Sequence, residues 1–188
     1  MGSVCLRGSL FFSTILMMFS NLAASSVMQA PTAFLAHESG WIGRVEIISS
    51  KVVEREIPFQ VSEARVIEVF RGRGNPRDVI FFSRPGGRVG ERSLSVIGVP
   101  DLAVNQQYVV FLSDDPLFSE RDPNLESQLQ DWTAYEVTQD QNGKPTTVRR
   151  AQGKIPSRAS KAYSNAMSFG VGAQSYDDLV MQIHRGLD

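Results

Sequence analysis

The stretch from Ala64 to Gly87, ARVIEVFRGRGNPRDVIFFSRPGG, places the tightest constraint on the fold. One apolar run ends at Phe70 and a second begins at Val79, and both have the β-branched and aromatic composition of strands. The residues between them are rich in glycine and include an Asn-Pro pair, which supplies the backbone freedom and the fixed φ that a turn requires. The stretch therefore predicts a β-hairpin followed by a glycine-rich loop.

Short apolar runs with glycine or proline at their ends recur along most of the chain. The predicted strands are Trp41–Val53, Phe59–Phe70, Arg77–Ser83, Ser93–Val99, Gln107–Leu112, Trp132–Thr138 and Pro145–Gln152. The alternation slips near Ile67 and Glu68, which predicts a β-bulge, and Asp140–Gly143 has the composition of a hairpin turn. This spacing predicts a mainly β fold, either a sandwich or a small antiparallel OB-like barrel, and we favour the barrel because it closes its own edges.

Two helices are predicted to flank the strands. A short N-terminal helix over Ala30–Glu38 is expected to pack Phe34 and Leu35 inward. Near the end of the chain, Ser175 has the position of an N-cap for a helix over Tyr176–Arg185, so that residues 175–186 form a terminal helix. Its apolar stripe consists of Leu179, Val180 and Ile183, its first turn holds Asp177 and Asp178, and Gly186 marks its end.

The first residues of the chain have the order of a secretory signal peptide. One positive side chain, Arg7, precedes the apolar run LFFSTILMMFSNLAA, and small residues follow it. We expect residues 1–26 to be removed, with the cut between 24 and 30; the alternative is a retained membrane anchor, which the short and partly polar run does not favour. The only cysteine, Cys5, would leave with this peptide. The mature protein is then a periplasmic or extracellular monomer that does not span the membrane.

The remaining residues, 31–188, are predicted to form a single β-barrel domain. Residues 114–131 form a polar, acid-rich insertion in it. The formal net charge of −1 argues against a dedicated polyanion binder, so no nucleic-acid partner is expected.

Several motifs in the same order resemble a family of exported, uncharacterised bacterial proteins. The motifs are Gly43-Arg44-Val45, Val66-Ile67-Glu68-Val69-Phe70-Arg71-Gly72, Arg84-Pro85-Gly86-Gly87, Gly98-Val99-Pro100, Tyr108-Val109-Val110-Phe111-Leu112 and Ala151-Gln152-Gly153-Lys154. That family implies no known activity. The arrangement is also similar, in fold pattern alone, to the netrin-like OB barrel of the tissue inhibitors of metalloproteinases. Those inhibitors chelate the protease zinc through an N-terminal cysteine, which this chain lacks after Cys5, so that mechanism is not carried over.

Residues for catalysis or metal binding are sparse. The two histidines, His37 and His184, lie near opposite ends of the mature chain and are interpreted as surface residues on helices, so neither a metal site nor a cofactor is predicted. Neither Gly-x-Ser-x-Gly nor Ser-x-x-Lys occurs. A hydrolase with a dispersed Ser/His/Asp site stays open as an alternative, because the members of a triad need not be adjacent in sequence.

A local excess of arginine is the strongest candidate for a binding surface. The arginines are Arg71, Arg73, Arg77, Arg84, Arg88 and Arg92. If the two loops that hold them lie at the same end of the barrel, they form a guanidinium-rich rim suited to carboxylate, phosphate or sulfate. The alternative is a solvated rim paired with the acidic insertion. Trp132 and Tyr135 are candidate contact aromatics, although aromatic residues on a half-buried strand are more often packing residues.

The sequence therefore predicts an exported, non-catalytic binding protein that engages a protein partner through the loops at one end of the barrel. A co-exported protease is one candidate partner, and an anionic ligand is another. The alternatives are the hydrolase above and an envelope protein that binds acidic glycans through the arginine rim.

Overall fold

The computed structural model describes residues 30–54, 56–96, 99–114, 129–151 and 172–188. The signal peptide predicted for 1–26 lies outside these ranges, as do most of the acid-rich insertion and the segment 152–171. The described part is mainly β, with a seven-stranded antiparallel sheet, a separate two-stranded hairpin and one helix at each end, as the sequence predicts.

The elements follow one another in a simple order. The helices are α1 (Thr32–Glu38) and α2 (Tyr176–Leu187). The strands are β1 (Trp41–Val53), β2 (Phe59–Arg71), β3 (Val79–Pro85), β4 (Gly87–Val89), β5 (Arg92–Leu94), β6 (Gln107–Leu112), β7 (Leu129–Gln139), β8 (Pro145–Arg150) and β9 (Gln174–Ser175). The large sheet has the order β3-β2-β1-β6-β7-β8-β9, and β4 and β5 form the hairpin.

The long strand β1 lies at the centre of the sheet and pairs with β2 along one edge and β6 along the other. The β1–β2 register shifts at three places, and at one of them Arg44 pairs with Glu68 while the next residue, Val45, pairs with Val66. Ile67 is therefore the extra residue of a bulge, which confirms the prediction from the slipped alternation. Bulges bend a strand and increase its twist, so β1 and β2 can follow a curved path.

The sheet curls because of this path. In a flat sheet β3 and β7 would lie ~19 Å apart, four strand spacings, yet the two strands are in contact. Between them, on the concave side, lies a buried apolar cluster that includes Trp41, Phe82 and Ala134. We call this side the inner face. β3 and β7 share no backbone ladder in the described residues, so the sheet is curled but not closed there.

The opposite side, the outer face, is covered by the two helices. Leu35 of α1 and Leu179 and Ile183 of α2 are fully buried against Ile42 and Phe111 of the sheet. The helices also contact each other closely, because a Cβ at Gly186 would lie 2.8 Å from the Ala36 side chain. Gly186 therefore belongs to the packing surface of α2. The sequence analysis predicts that Gly186 marks the end of this helix, whereas α2 continues to Leu187.

The sequence predicts the start of α2 correctly and the buried side of α1 only in part. The Ser175 hydroxyl accepts a hydrogen bond from the Asp178 backbone N–H at 3.0 Å, which confirms the predicted N-cap. On α1, Leu35 is buried as predicted, but Phe34 is 52% exposed and the prediction that it packs inward is wrong. The helix starts at Thr32, which turns Phe34 to the side away from the sheet.

The region after β3 differs most from the predicted strands. β3 continues to Pro85, so Arg84 is a strand residue and not part of a loop, and the glycine-rich segment that follows forms the β4–β5 hairpin. The strand predicted over Ser93–Val99 ends at Leu94. By contrast, β1 and β6 have the predicted bounds, and β7 and β8 flank the predicted turn at Asp140–Gly143. In the described part of the chain, no helix has the length and apolar character needed to cross a membrane.

We expect Gly43→Ala to lower the free energy of unfolding by about 2–3 kcal/mol, because it overpacks a close contact inside the sheet. The added Cβ would collide with the ring of Trp41 and lie 2.7 Å from the Glu68 carbonyl oxygen. The ring cannot move aside easily, since it is fully buried and its Nε1–H donates to the Arg73 carbonyl at 2.8 Å. Urea unfolding measures the effect.

The matched control is Gly172→Ala, where a Cβ meets no atom within 4 Å. It should change the free energy of unfolding by no more than about 0.5 kcal/mol. Equal effects of the two substitutions would contradict this packing around Trp41.

Candidate functional site

The structure divides the six arginines of the predicted rim into two groups. β3 runs from Val79 to Pro85. Three of the arginines, Arg71, Arg73 and Arg77, precede its first residue, and the other three, Arg84, Arg88 and Arg92, lie at or after its last residues. The two loops are therefore at opposite ends of β3, and the condition for one continuous rim is not met.

The first group is largely engaged in holding the fold together. Arg71 donates from Nη1 to the carbonyl oxygens of Ala36 and His37, at 2.8 and 3.1 Å, where α1 ends. A cation that binds the last carbonyls of a helix stabilises them. The Arg73 carbonyl accepts the Trp41 indole N–H. Arg77 is exposed and has a positive φ of 82°, which the β2–β3 turn imposes.

In the second group, Arg84 is buried. It lies directly across from Gln60 of β2, which in turn lies across from Val52 of β1. Because paired residues share a face and β3 alternates, Arg84 is on the inner face with Ile80 and Phe82. Its side chain is 2% exposed. The sequence predicts a loop position for Arg84, because the Pro-Gly-Gly that follows it is typical of a turn and gives no sign that the strand continues to Pro85.

The guanidinium of Arg84 has few partners for so buried a charge. Nη1 donates to the Ser62 hydroxyl at 3.1 Å, and Nη2 lies 3.7 Å from Oδ1 of Asp101, which is too long for a hydrogen bond. Among the residues that the structure describes, Nη2 has no hydrogen-bond partner. Burial lowers the pKa of Arg84 to about 10, and the charge of Asp101 opposes this shift without cancelling it.

Tyr108 of β6 borders the same place. Its hydroxyl oxygen accepts a hydrogen bond from the Ala103 backbone N–H at 3.0 Å. Burial raises the pKa of Tyr108, so that its phenol stays protonated, and the nearby charge of Arg84 acts in the opposite direction. Neither Asp101 nor Tyr108 has a sequence signal for a site, because one lies in an irregular segment and the other in an apolar strand.

The β4–β5 hairpin lies at this same end of the sheet. A Cβ at Gly87 would lie 2.7 Å from the methyl groups of Val52, the residue in the same row as Arg84. Arg92 lies 3.4 Å from Glu54 and donates to the Glu56 carbonyl at 3.3 Å, which joins the hairpin to the β1–β2 loop. We use the name hairpin surface for five exposed residues of these two segments: Glu54, Glu56, Ile57, Arg88 and Arg92.

The candidate contact aromatics do not form an exposed site. Tyr135 is 9% exposed, its ring packs edge-on against Phe111, and its hydroxyl shares a hydrogen bond with Thr32 of α1 at 2.9 Å. It is a packing residue under α1, so the prediction of a contact role is wrong for Tyr135. Trp132 belongs to β7, and its side chain lies outside the described residues.

The histidines are surface residues on helices, as the sequence predicts. His37 is hydrogen-bonded to Glu38 at 2.8 Å, and His184 is exposed on α2. Within the ranges that the structure describes, no three His, Cys, Asp or Glu side chains are grouped as metal ligands.

A second polar cluster joins α2 to the sheet. The Tyr176 hydroxyl donates to the Glu68 carboxylate at 2.7 Å, Arg44 lies 3.3 Å from the same carboxylate, and the Arg44 guanidinium stacks over the Tyr176 ring. Burial, together with the hydrogen bond to Glu68, raises the pKa of Tyr176 well above its usual range. These contacts fix α2 against the sheet, although the buried Arg44 Nε has no hydrogen-bond partner in the described residues.

Comparison with protein-family models, curated proteins and solved structures finds no match in any of the three. The resemblances to the exported bacterial family and to netrin-like barrels therefore stay predictions.

We expect Arg84→Met to change the free energy of unfolding by less than about 1 kcal/mol. An apolar side chain of similar length removes a poorly satisfied buried charge, and this gain offsets the lost hydrogen bond to Ser62. Asp101 is 50% exposed and can be solvated without its partner. A decrease of 3 kcal/mol or more in the free energy of unfolding, measured with urea, would show instead that Arg84 stabilises the fold.

We expect the stabilising effect of the Tyr176 hydroxyl to fade at alkaline pH. The folded-state pKa is raised, so its contribution is fully present below the unfolded-state pKa of about 10 and decreases as the pH rises above that value. Tyr176→Phe should cost about 1 kcal/mol at pH 7, and the difference from the unaltered protein should shrink by pH 11. Urea unfolding at both pH values measures this, and a difference independent of pH would contradict the assignment.

Proposed function

We propose that this protein is an exported, non-catalytic binding protein that engages a protein partner through the hairpin surface. The observation that carries the proposal is the exposure of Ile57, at 43%, next to Arg92, which donates to the carbonyl of the preceding residue; Arg88 is exposed on the same hairpin. An apolar anchor bordered by arginine has the composition of a protein-binding hot spot, in which arginine and large apolar side chains are enriched.

The charges of the hairpin surface favour a partner with its own mixed charges. Arg88 is exposed, and within the described part of the chain it donates a local hydrogen bond to the Gly90 carbonyl at 3.2 Å. Arg92 is held by Glu54 and Glu56, so it presents a fixed guanidinium instead of a mobile one. A co-exported protease is a candidate partner on the ground of fold analogy, and export itself rests on the N-terminal sequence.

The test is affinity capture with the chain from Pro31 to Asp188, using envelope extract and spent medium of the source cells. We expect one stoichiometric protein to be retained, and mass spectrometry identifies it. Ile57→Asp and Arg88→Glu should each weaken the interaction with the purified partner at least about tenfold, since each removes a central contact. The interaction should also weaken as salt rises.

The matched control is Arg77→Glu, which makes the same charge change on an exposed residue at the other end of β3. It should leave capture unchanged. Capture that survives Ile57→Asp and Arg88→Glu, or that the control abolishes equally, would contradict the assignment to the hairpin surface. Retention of an anionic polysaccharide and no protein would favour the glycan-binding alternative.

A further inference from the structure

The Nη2 group of Arg84 is a charged donor that the described fold leaves without an acceptor. Nearly all buried polar groups in proteins have a hydrogen-bond partner, and a buried charged donor without one is costly. Arg44 on the outer face also has a buried nitrogen without a partner in the described residues, Nε, but its other two nitrogens lie 3.3 Å from Gln107 and Glu68 and its guanidinium stacks over Tyr176. Arg84 has one hydrogen bond in the described residues and the charge of Asp101 at 3.7 Å, which is little compensation for a side chain that is 2% exposed.

In its observed position, the Asp101 carboxylate is too far from Nη2 to accept a hydrogen bond. Val99 and Leu102 on either side of Asp101 are buried, and the N–H of Ala103 is bonded to Tyr108. These anchors fix the backbone of Asp101 so that its carboxylate stays 3.7 Å from Nη2 and is half exposed to solvent. The carboxylate supplies charge compensation, but it does not form the paired hydrogen bonds that a guanidinium can make with a carboxylate.

Tyr108 adds a second donor at the same place. Its oxygen already accepts from Ala103, so its own proton needs an acceptor, and the described residues show none. The two donors face the same short segment, because Arg84 Nη2 lies 3.7 Å from Asp101 and the Tyr108 hydroxyl is bonded to Ala103, two residues further along the chain. An acceptor that satisfied both would carry two oxygens and a negative charge.

We propose that Arg84 and Tyr108 form a binding subsite for a carboxylate group of the protein partner, which enters from solvent by displacing the Asp101 side chain. This proposal rests on the proposed function, since the hairpin surface lies at the same end of the sheet. Asp101 occupies the position of the incoming group in the free protein. A planar carboxylate, which carries one charge, suits the guanidinium fork, whereas a phosphate group with two charges on one centre would meet the added repulsion of Asp101 and Glu136.

The route to the subsite starts at Asp101. Arg84 is 2% exposed and Asp101, its charge partner at 3.7 Å, is 50% exposed, so the buried guanidinium is next to a group that borders solvent. Rotation of the Asp101 carboxylate away from Arg84 opens the way while Val99 and Leu102 stay buried. The partner's carboxylate therefore competes with Asp101 for the same guanidinium.

The experiment uses glutarate as the probe and its neutral analogue glutaramide as the chemical control. The signal of the Arg84 Nε–H, assigned by its loss in Arg84→Lys, is followed by ¹⁵N nuclear magnetic resonance during each titration. We expect glutarate to shift it saturably and glutaramide to leave it unchanged. Asp101→Asn removes the competing carboxylate and should tighten glutarate binding about tenfold. Asp177→Asn, the same substitution on α2, should not alter it.

The proposal is overturned if glutarate leaves the Arg84 signal unchanged in both the unaltered protein and Asp101→Asn, or if Asp101→Asn binds it no more tightly. A separate measurement distinguishes this failure from that of the proposed function. The affinity of the purified partner for the unaltered protein is compared with its affinity for Arg84→Lys and with its affinity in saturating glutarate. If all three are equal, the partner's carboxylate does not use the subsite, although the hairpin surface still binds the partner. If glutarate binds as expected and no partner is captured, the carboxylate site is supported and the proposed function fails.

Discussion

The pairing of β1 with two neighbours determines the arrangement of the rest of the molecule. Its thirteen residues form ladders with β2 and β6, and the ladder with β2 shifts register at three places, which lets the strands curve. Without the bulge at Ile67, the β2 residues beyond it would exchange faces, since successive side chains of a strand alternate. The curl that brings β3 to β7, the enclosed core and the covered outer face all depend on this one strand.

The two faces of the sheet use their polar residues differently. On the outer face, Arg44, Glu68 and Tyr176 contact one another and fix α2 beside an apolar cluster. On the inner face, Ser62 and Arg84 lie at one end of the apolar cluster, and the Arg84 guanidinium is only partly satisfied in the described residues. A charge buried at such cost adds little to stability. Its position next to the exposed hairpin surface is the basis of the proposed carboxylate subsite.

The sequence predicts the pattern of strands well and the site poorly, for identifiable reasons. Alternation and turn composition are local, so the bounds of β1 and β6, the bulge at Ile67 and the Ser175 cap are all confirmed. The burial of Arg84 depends on which residues lie across from it in neighbouring strands, and that pairing is not a local property. The same holds for Asp101 and Tyr108, which come from separate segments and meet only in the folded chain.

The most direct test of the account is an experimental structure of crystals grown without carboxylates and then soaked in glutarate. We predict a carboxylate oxygen within hydrogen-bonding distance of Arg84 Nη2 and the Asp101 side chain turned away from the guanidinium. The account would be contradicted if Asp101 kept its position in the soaked crystals and the Arg84 donors were satisfied entirely by ordered water or by other groups of the protein.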